Sequence, residues 1–275
     1  MTQIKAADVQ KLRTITGSGM MDCKKALEES NGDFDTAIDI LRKKGQKVAN
    51  KRADREASEG AVLANISKDR KHAAMIVLNC ETDFVAKNEN FVAFAQSILN
   101  IAIAELPADL EALKKLKIGS VTIEEEIINR TGVIGEKVEL SVYSLITAES
   151  TVAYIHPGNK LASIAGFNKV VEESIGKDIV MQIAAMSPIA IDQSDVPQAD
   201  IDKELEIGKE LAINEGKDAK MAENIAKGRL SKFFKESTLL NQQFIKDNKV
   251  TVKEYLHSVN KELTVTAFKR FSLSL

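Results

Sequence analysis

Two apolar runs, Gly60 to Ser67 and Ala73 to Asn79, are separated only by the polar turn Lys68-Asp69-Arg70-Lys71. Apolar runs broken by so short a turn read as the two arms of an antiparallel hairpin. That pairing constrains the next thirty residues. The second arm must run directly into Cys80-Glu81-Thr82-Asp83-Phe84-Val85-Ala86-Lys87-Asn88, and then into a helical pattern from Glu89 to Glu105. The helix places Phe91, Phe94, Ala95, Ile98, Leu99 and Ala102 on an apolar face, and Pro107 enforces its stop. A second helical stretch at 122–129 comes next, then a strand in which Val138, Leu140 and Val142 alternate with polar residues. Together these predict a small α+β unit, an antiparallel sheet with helices on one face. The same order returns at 151–186: strand-like runs flank Pro157-Gly158-Asn159, and a helix with Val171, Ile175, Ile179 and Ile183 succeeds them. The recurrence is architectural, without residue identity.

Residues 4–45 read as three short helices. Val9 and Leu12 mark the first, which stops at Thr16-Gly17, and Cys23, Ala26 and Leu27 mark the second. The third starts at the N-cap Asp33, buries Phe34, Ala37, Ile38 and Leu41, and ends at Gly45. Met20 and Met21 fall in the loop between the first two. There they either close the small core or form an exposed patch suited to protein contacts. From Lys43 to Arg55 the chain is a basic linker, read either as a solvated face or as a guide toward an acidic partner. Further on, Ile201, Leu205, Ile207, Leu211 and Ile213 lie among dense charge. After Glu215-Gly216-Lys217, Ala219, Ala222, Ile225, Ala226 and Leu230 do the same. This is the pattern of a protruding antiparallel helical hairpin with one apolar seam. A short helix at 251–260 capped by Thr251 and a strand at 263–268 return the chain to the second sheet.

The inventory of reactive groups excludes most enzyme classes. His72, His156 and His257 are far apart, and with Cys23 and Cys80 they make no zinc spacing. Neither GxxxxGK[ST] nor GxGxxG after a strand occurs, and Cys80 reads as a small buried residue. With 38 basic and 40 acidic residues, the net charge of -2 lacks the basic excess of a general nucleic-acid binder. Two cysteines give no disulfide framework, and no apolar run approaches the ~20 residues of a membrane span. The start, Met1-Thr2-Gln3-Ile4-Lys5, has no apolar core of signal-peptide length. A soluble, cytoplasmic binding protein without cofactor or metal is expected. From the residues alone, Asp83 reads as an N-cap and Phe84 as a staple packing on the helix it precedes.

Two motifs change that weighting. Leu12-Arg13-x-x-Thr16-Gly17-x-Gly19-Met20-Met21-Asp22-Cys23-Lys24-Lys25-Ala26-Leu27 resembles the N-terminal signature of the elongation factor Ts family. Thr82-Asp83-Phe84-Val85-Ala86-Lys87 resembles that family's second signature, and the organisation of nearly the whole chain is similar. One departure is Val77, where the family usually has Glu. The resemblance implies a guanine-nucleotide exchange factor for elongation factor Tu, not an enzyme. It implies that Thr82, Asp83, Phe84 and Val85 enter the GTPase near its Mg2+ site and wedge it, displacing Mg2+ coordination until GTP releases the factor. It further implies partner contacts by Arg13, Met20 and Met21, by Arg52 in the basic linker, and by His156 at the second hairpin tip.

The expected fold is α+β. A three-helix, ubiquitin-associated-like bundle with its basic linker occupies 1–54, and a first sheet-plus-helix subdomain 55–145. The second subdomain takes 146–190 and 236–275, with the inserted helical hairpin at 191–235. The hairpin suits self-association or further partner contacts, and a module that family members often carry after the last strand is expected to be absent. The rival reading is a helical adaptor that binds peptides or helices through the N-terminal bundle.

Overall fold

In the computed structural model, which describes residues 4–273, the chain opens with helices α1 (Ala6–Thr16), α2 (Met20–Glu29) and α3 (Phe34–Arg52). The ends of the expected 1–54 and 236–275 units, residues 1–3 and 274–275, lie outside the described residues. Val9, Leu12, Cys23, Ala26, Leu27 and Ala37 form the small core of these helices, with Phe34, Ile38 and Leu41 half-buried against it. Gly17 ends α1 in the left-handed region at φ 68°, where glycine carries no Cβ penalty, and its N–H donates to Arg13 O at 2.8 Å. Asp33 caps α3 by accepting from Thr36 N.

Two expectations are corrected here. Met20 and Met21 form the first turn of α2 and do not sit in a loop. α3 does not stop at Gly45 but continues to Arg52 through the basic stretch. Gly45 is buried where α3 crosses a later helix, and a Cβ built on Gly132 there would lie 2.4 Å from the Gly45 Cα. Glycine serves at this point for close backbone approach, not for termination.

The expected hairpin is present as β1 (Glu59–Ile66) and β2 (His72–Cys80), antiparallel with Glu59 opposite Cys80. Beyond β2 come a single turn, α4 (Asp83–Ala86), and the long helix α5 (Glu89–Glu105). The predicted apolar face of α5 is buried in full, and Leu106 adopts a left-handed cap just before Pro107. Burying Phe91, Phe94, Ile98 and Leu99 contributes about 1.5–3 kcal/mol each relative to exposure. A short α6 (Leu110–Lys115) and a two-residue ladder, β3 (Lys117–Ile118) with β4 (Val121–Thr122), have no counterpart among the expected elements. They lead to α7 (Ile123–Ile134), longer than expected, which starts with a Thr122–Glu125 capping box and carries Gly132.

Strand β5 (Glu139–Thr147) adds to β2, giving the order β1-β2-β5. Val77 pairs with Val142 and Leu78 with Leu140, so Ser141 is an extra residue, a bulge. The expected regular alternation therefore breaks. Val138 and Leu140 join the core under α5, whereas Val142 faces the opposite side.

The second half repeats the layering. β6 (Ser150–Ile155) and β7 (Leu161–Phe167) form a hairpin, and α8 (Glu173–Met186) packs on them. Helices α9 (Gln198–Asn214) and α10 (Ala219–Ser237) form the antiparallel hairpin. Its buried contacts are Gly208, Ala212, Ala222 and Ala226, while Ile207, Leu211 and Ile213 are exposed. The expected seam thus holds on α10 through Ala222 and Ala226, whereas on α9 the small residues Gly208 and Ala212 take the place expected for Ile207, Leu211 and Ile213. A Cβ on Gly208 would lie 3.0 Å from the Ala226 Cα, so the helices approach closely and leave no room between them for branched side chains. A small ladder of β8 (Gln243–Phe244) and β9 (Asp247–Thr251), helix α11 (Val252–Val259) and β10 (Val265–Ser272) complete the chain. β10 pairs with β7, giving the order β10-β7-β6. The two sheets stack through Val62, Met75, Val77 and Ile146 against Ala162 and Ile164, and helices cover their outer faces. Val77 is fully buried in this layer.

Candidate functional site

The end of β2 is where the sheet hands its backbone to a helix. Cys80 is buried, and its Sγ–H donates to Thr82 O at 3.2 Å. Burial pushes this thiol up to about 12, with the Glu136 charge adding to the effect, so it is no nucleophile at neutral pH. Thr82 is the N-cap of α4, accepting from Val85 N at 3.4 Å. Asp83 is therefore the first helical residue, not the cap. Its carboxylate accepts from Lys87 Nζ at 2.7 Å, one turn on, and that bond holds the carboxyl below its usual range. Ala86 is buried and Val85 half-buried on the first core, which fixes the inner side of the turn. Phe84 points the other way. Its side chain is 83% exposed, above every other large apolar residue described as exposed, so it is not a staple.

Charges of alternating sign surround the turn. Lys160, from the β6–β7 loop, pairs with Glu59 at 2.9 Å and also helps keep Asp83 ionised. Glu59 in turn favours the charged form of Lys87, whose main support is its bond to Asp83. The loop carrying Lys160 is pinned to β1 by Val62 N donating to Asn159 O at 2.7 Å. His156 starts the same loop, exposed, with Nδ1 2.8 Å from Tyr154 Oη. The stacked sheets thus bring the His156 loop to the side of the molecule that carries Asp83.

Arg52 is not a free surface cation. Its Nη1 donates to both oxygens of Glu81, at 2.7 and 2.8 Å, and Glu81 also accepts from Lys137 N at 2.6 Å. Glu136 accepts from Thr82 N at 3.0 Å and from Thr82 Oγ1 at 2.8 Å. Arg13, Met20 and Met21 lie elsewhere, around the α1–α2 turn. Arg13 is exposed, as are the apolar residues Ile15 (56%), Met20 (55%) and Met21 (62%) on either side of the α1–α2 turn. Among the described residues no hydrogen bond or ion pair links this group to Phe84; α3 spans the interval. Sequence reasoning missed Glu81, Glu136, Lys160 and the role of Lys87, since the first three act across long sequence separations. Among the described residues no three His, Cys, Asp or Glu side chains converge as a metal site requires, and no helix is long and apolar enough to cross a membrane.

The family model described as Elongation factor TS matches residues 81–274, starting at Glu81 itself. A protein named Elongation factor Ts from Porphyromonas gingivalis is 52% identical over 268 residues, covering 97% of each chain. The chain belongs to the elongation factor Ts family. Relatives of the same name from Amoebophilus asiaticus and Cytophaga hutchinsonii are 52% and 47% identical, over 97–98% and 100% of the two chains respectively. The family match spans β5 of the first sheet, the whole second sheet and the helical hairpin, and the relatives extend it across β1, β2 and the N-terminal helices. The Asp83–Phe84 turn lies inside both the family match and the region aligned with these relatives.

Proposed function

We propose that this chain is a cytoplasmic guanine-nucleotide exchange factor that binds elongation factor Tu carrying GDP and promotes GDP release. Family membership supports exchange on elongation factor Tu as the general role, in protein biosynthesis. The wedge mechanism rests on one observation above all: Phe84 is 83% exposed on a turn whose neighbours Val85 and Ala86 are anchored in the core. An aromatic ring held in water on a fixed mount is primed for burial in a partner. Phe84 enters an apolar pocket of the GTPase, Asp83 acts beside it, and the displacement disturbs the partner's Mg2+ coordination. Mg2+ neutralises phosphate charge, so its loss weakens nucleotide binding without contact to the base. Linkage makes the effect reciprocal, and GTP releases the factor by the same route. No bond is made or broken, so the chain is not an enzyme in this scheme.

Arg13, Met20 and Met21 form a second contact and His156 a third, on a division into 1–54, 55–145, 146–190 with 236–275, and 191–235. Arg52 contributes through Glu81 rather than directly. The deciding experiment is GDP release from elongation factor Tu with the Phe84→Ala variant. A second reading, a helical adaptor using the N-terminal bundle, draws support from the exposed Ile15, Met20 and Met21. Deleting residues 1–54 separates the two. The exchanger retains measurable binding to elongation factor Tu, whereas the adaptor loses all of it.

A further inference from the structure

A one-turn helix does not hold itself. Nucleating a turn fixes several backbone dihedrals for a single hydrogen bond, so α4, four residues long, needs outside support. The exposed ring cannot give it, because Phe84 packs on little of its own chain. Support comes instead from two carboxylates placed reciprocally. Glu81 accepts from the backbone N–H of Lys137, and Glu136 accepts from the backbone N–H of Thr82. Each segment thus lends a carboxylate to its neighbour's main chain. Charge-assisted bonds of this kind are short and about twice as strong as neutral ones.

Glu136 does more than join two strands. A threonine hydroxyl has one proton and two lone pairs. By accepting that proton at 2.8 Å, Glu136 leaves Thr82 Oγ1 facing Val85 N as an acceptor, which is the capping bond of α4. Arg52, with its side chain only 34% exposed, locks Glu81 from the end of α3. We propose that Glu136 and Glu81 are the positioning residues of the exchange wedge: they set the direction of Phe84 without touching the partner. This rests on the wedge reading of Asp83 and Phe84.

The test measures release of a fluorescent GDP analogue from elongation factor Tu as a function of factor concentration. Glu136→Ala, Glu136→Gln, Phe84→Ala and the double variant Glu136→Ala/Phe84→Ala are compared. Misplacing a group by an ångström can cost up to about 100-fold, so Glu136→Ala is expected to lower the saturating rate about tenfold. The half-saturating concentration should move less than about threefold, since the other contacts remain. Glu136→Gln, whose amide oxygen still accepts one Thr82 bond, should recover part of the rate. In the Phe84→Ala background, Glu136→Ala should cost less than about twofold, because no ring is left to misplace. Thr82→Val removes the hydroxyl bond to Glu136 together with the α4 cap that it sets, leaves the Thr82 N–H bond to Glu136 in place, and carries the same comparison should Glu136→Ala not fold. An unchanged saturating rate for Glu136→Ala, or the same tenfold loss on top of Phe84→Ala, overturns the positioning role. If Phe84→Ala itself leaves release unchanged, the wedge reading fails and the positioning role falls with it.

Discussion

Replacing Phe84 by Ala separates intramolecular from intermolecular work more cleanly than any other change in the chain. With 83% of the side chain exposed, truncation removes almost no packing, so the folded chain should lose no more than about 0.5 kcal/mol. For a chain of this size that is a melting shift of about 2 °C or less. In the proposed complex the same ring would be buried, and full burial of a phenylalanine is worth about 1.5–3 kcal/mol. At about 1.4 kcal/mol per decade, GDP release at saturating factor should slow roughly 10- to 100-fold. Stopped-flow release of a fluorescent GDP analogue, run beside thermal unfolding of the factor alone, reads both quantities. Phe84→Leu should fall between the two, since it restores part of the apolar area. A release rate within twofold of the unaltered protein, or a slow rate accompanied by a melting drop of 10 °C, would refute the reasoning.

Gly132→Ala and Gly45→Ala should differ in sign although they share one helix crossing. A Cβ at Gly132 meets the Gly45 Cα at 2.4 Å and must push α3 from α7, costing about 1–3 kcal/mol, whereas one at Gly45 finds Ile128 O at 3.6 Å and should gain up to about 1 kcal/mol of helix propensity. Denaturant unfolding giving equal values for both would contradict the crossing geometry. Glu81 has its carboxyl held below the usual range, first by the Lys137 N–H and then by Arg52 against the opposing effect of burial. Its contribution to stability is complete above the unfolded value of about 4.3 and is lost as pH falls through the lower folded value. The melting difference between the unaltered protein and Glu81→Gln should therefore shrink between about pH 6 and pH 3, and a constant difference would count against the ionic clamp.

Local rules made much of the fold legible. The β1–β2 hairpin and the limits of α5 derive from a polar turn, an unbroken apolar face and a proline, all within a few residues. The errors lie where a distant partner decides. Gly45 reads as a stop until Gly132 comes against it from 87 positions away. Ile207, Leu211 and Ile213 read as a seam because size dominates hydrophobic pattern, yet Gly208 and Ala226 set the helix spacing and turn the large residues outward. Ser141 is an ordinary strand residue until the pairing of β2 with β5 leaves it without a place. At the candidate site the exposed residues were visible as a motif, but their supports were not. Glu136 acts on Thr82 from 54 residues away, a relation no spacing rule encodes.

The contact between Gly45 and Gly132 gives α3 a fulcrum. Backbone touches backbone there, with no flexible side chain between to absorb movement. At 1.5 Å per residue, α3 reaches about 17 Å from that point to its start in the N-terminal core and about 10 Å to Arg52. A tilt of about 10° moves the first end by about 3 Å and the second by about 2 Å in the opposite sense. Any tilt of α3 about this contact would therefore move its first turn and the Arg52 guanidinium that grips Glu81 in opposite senses.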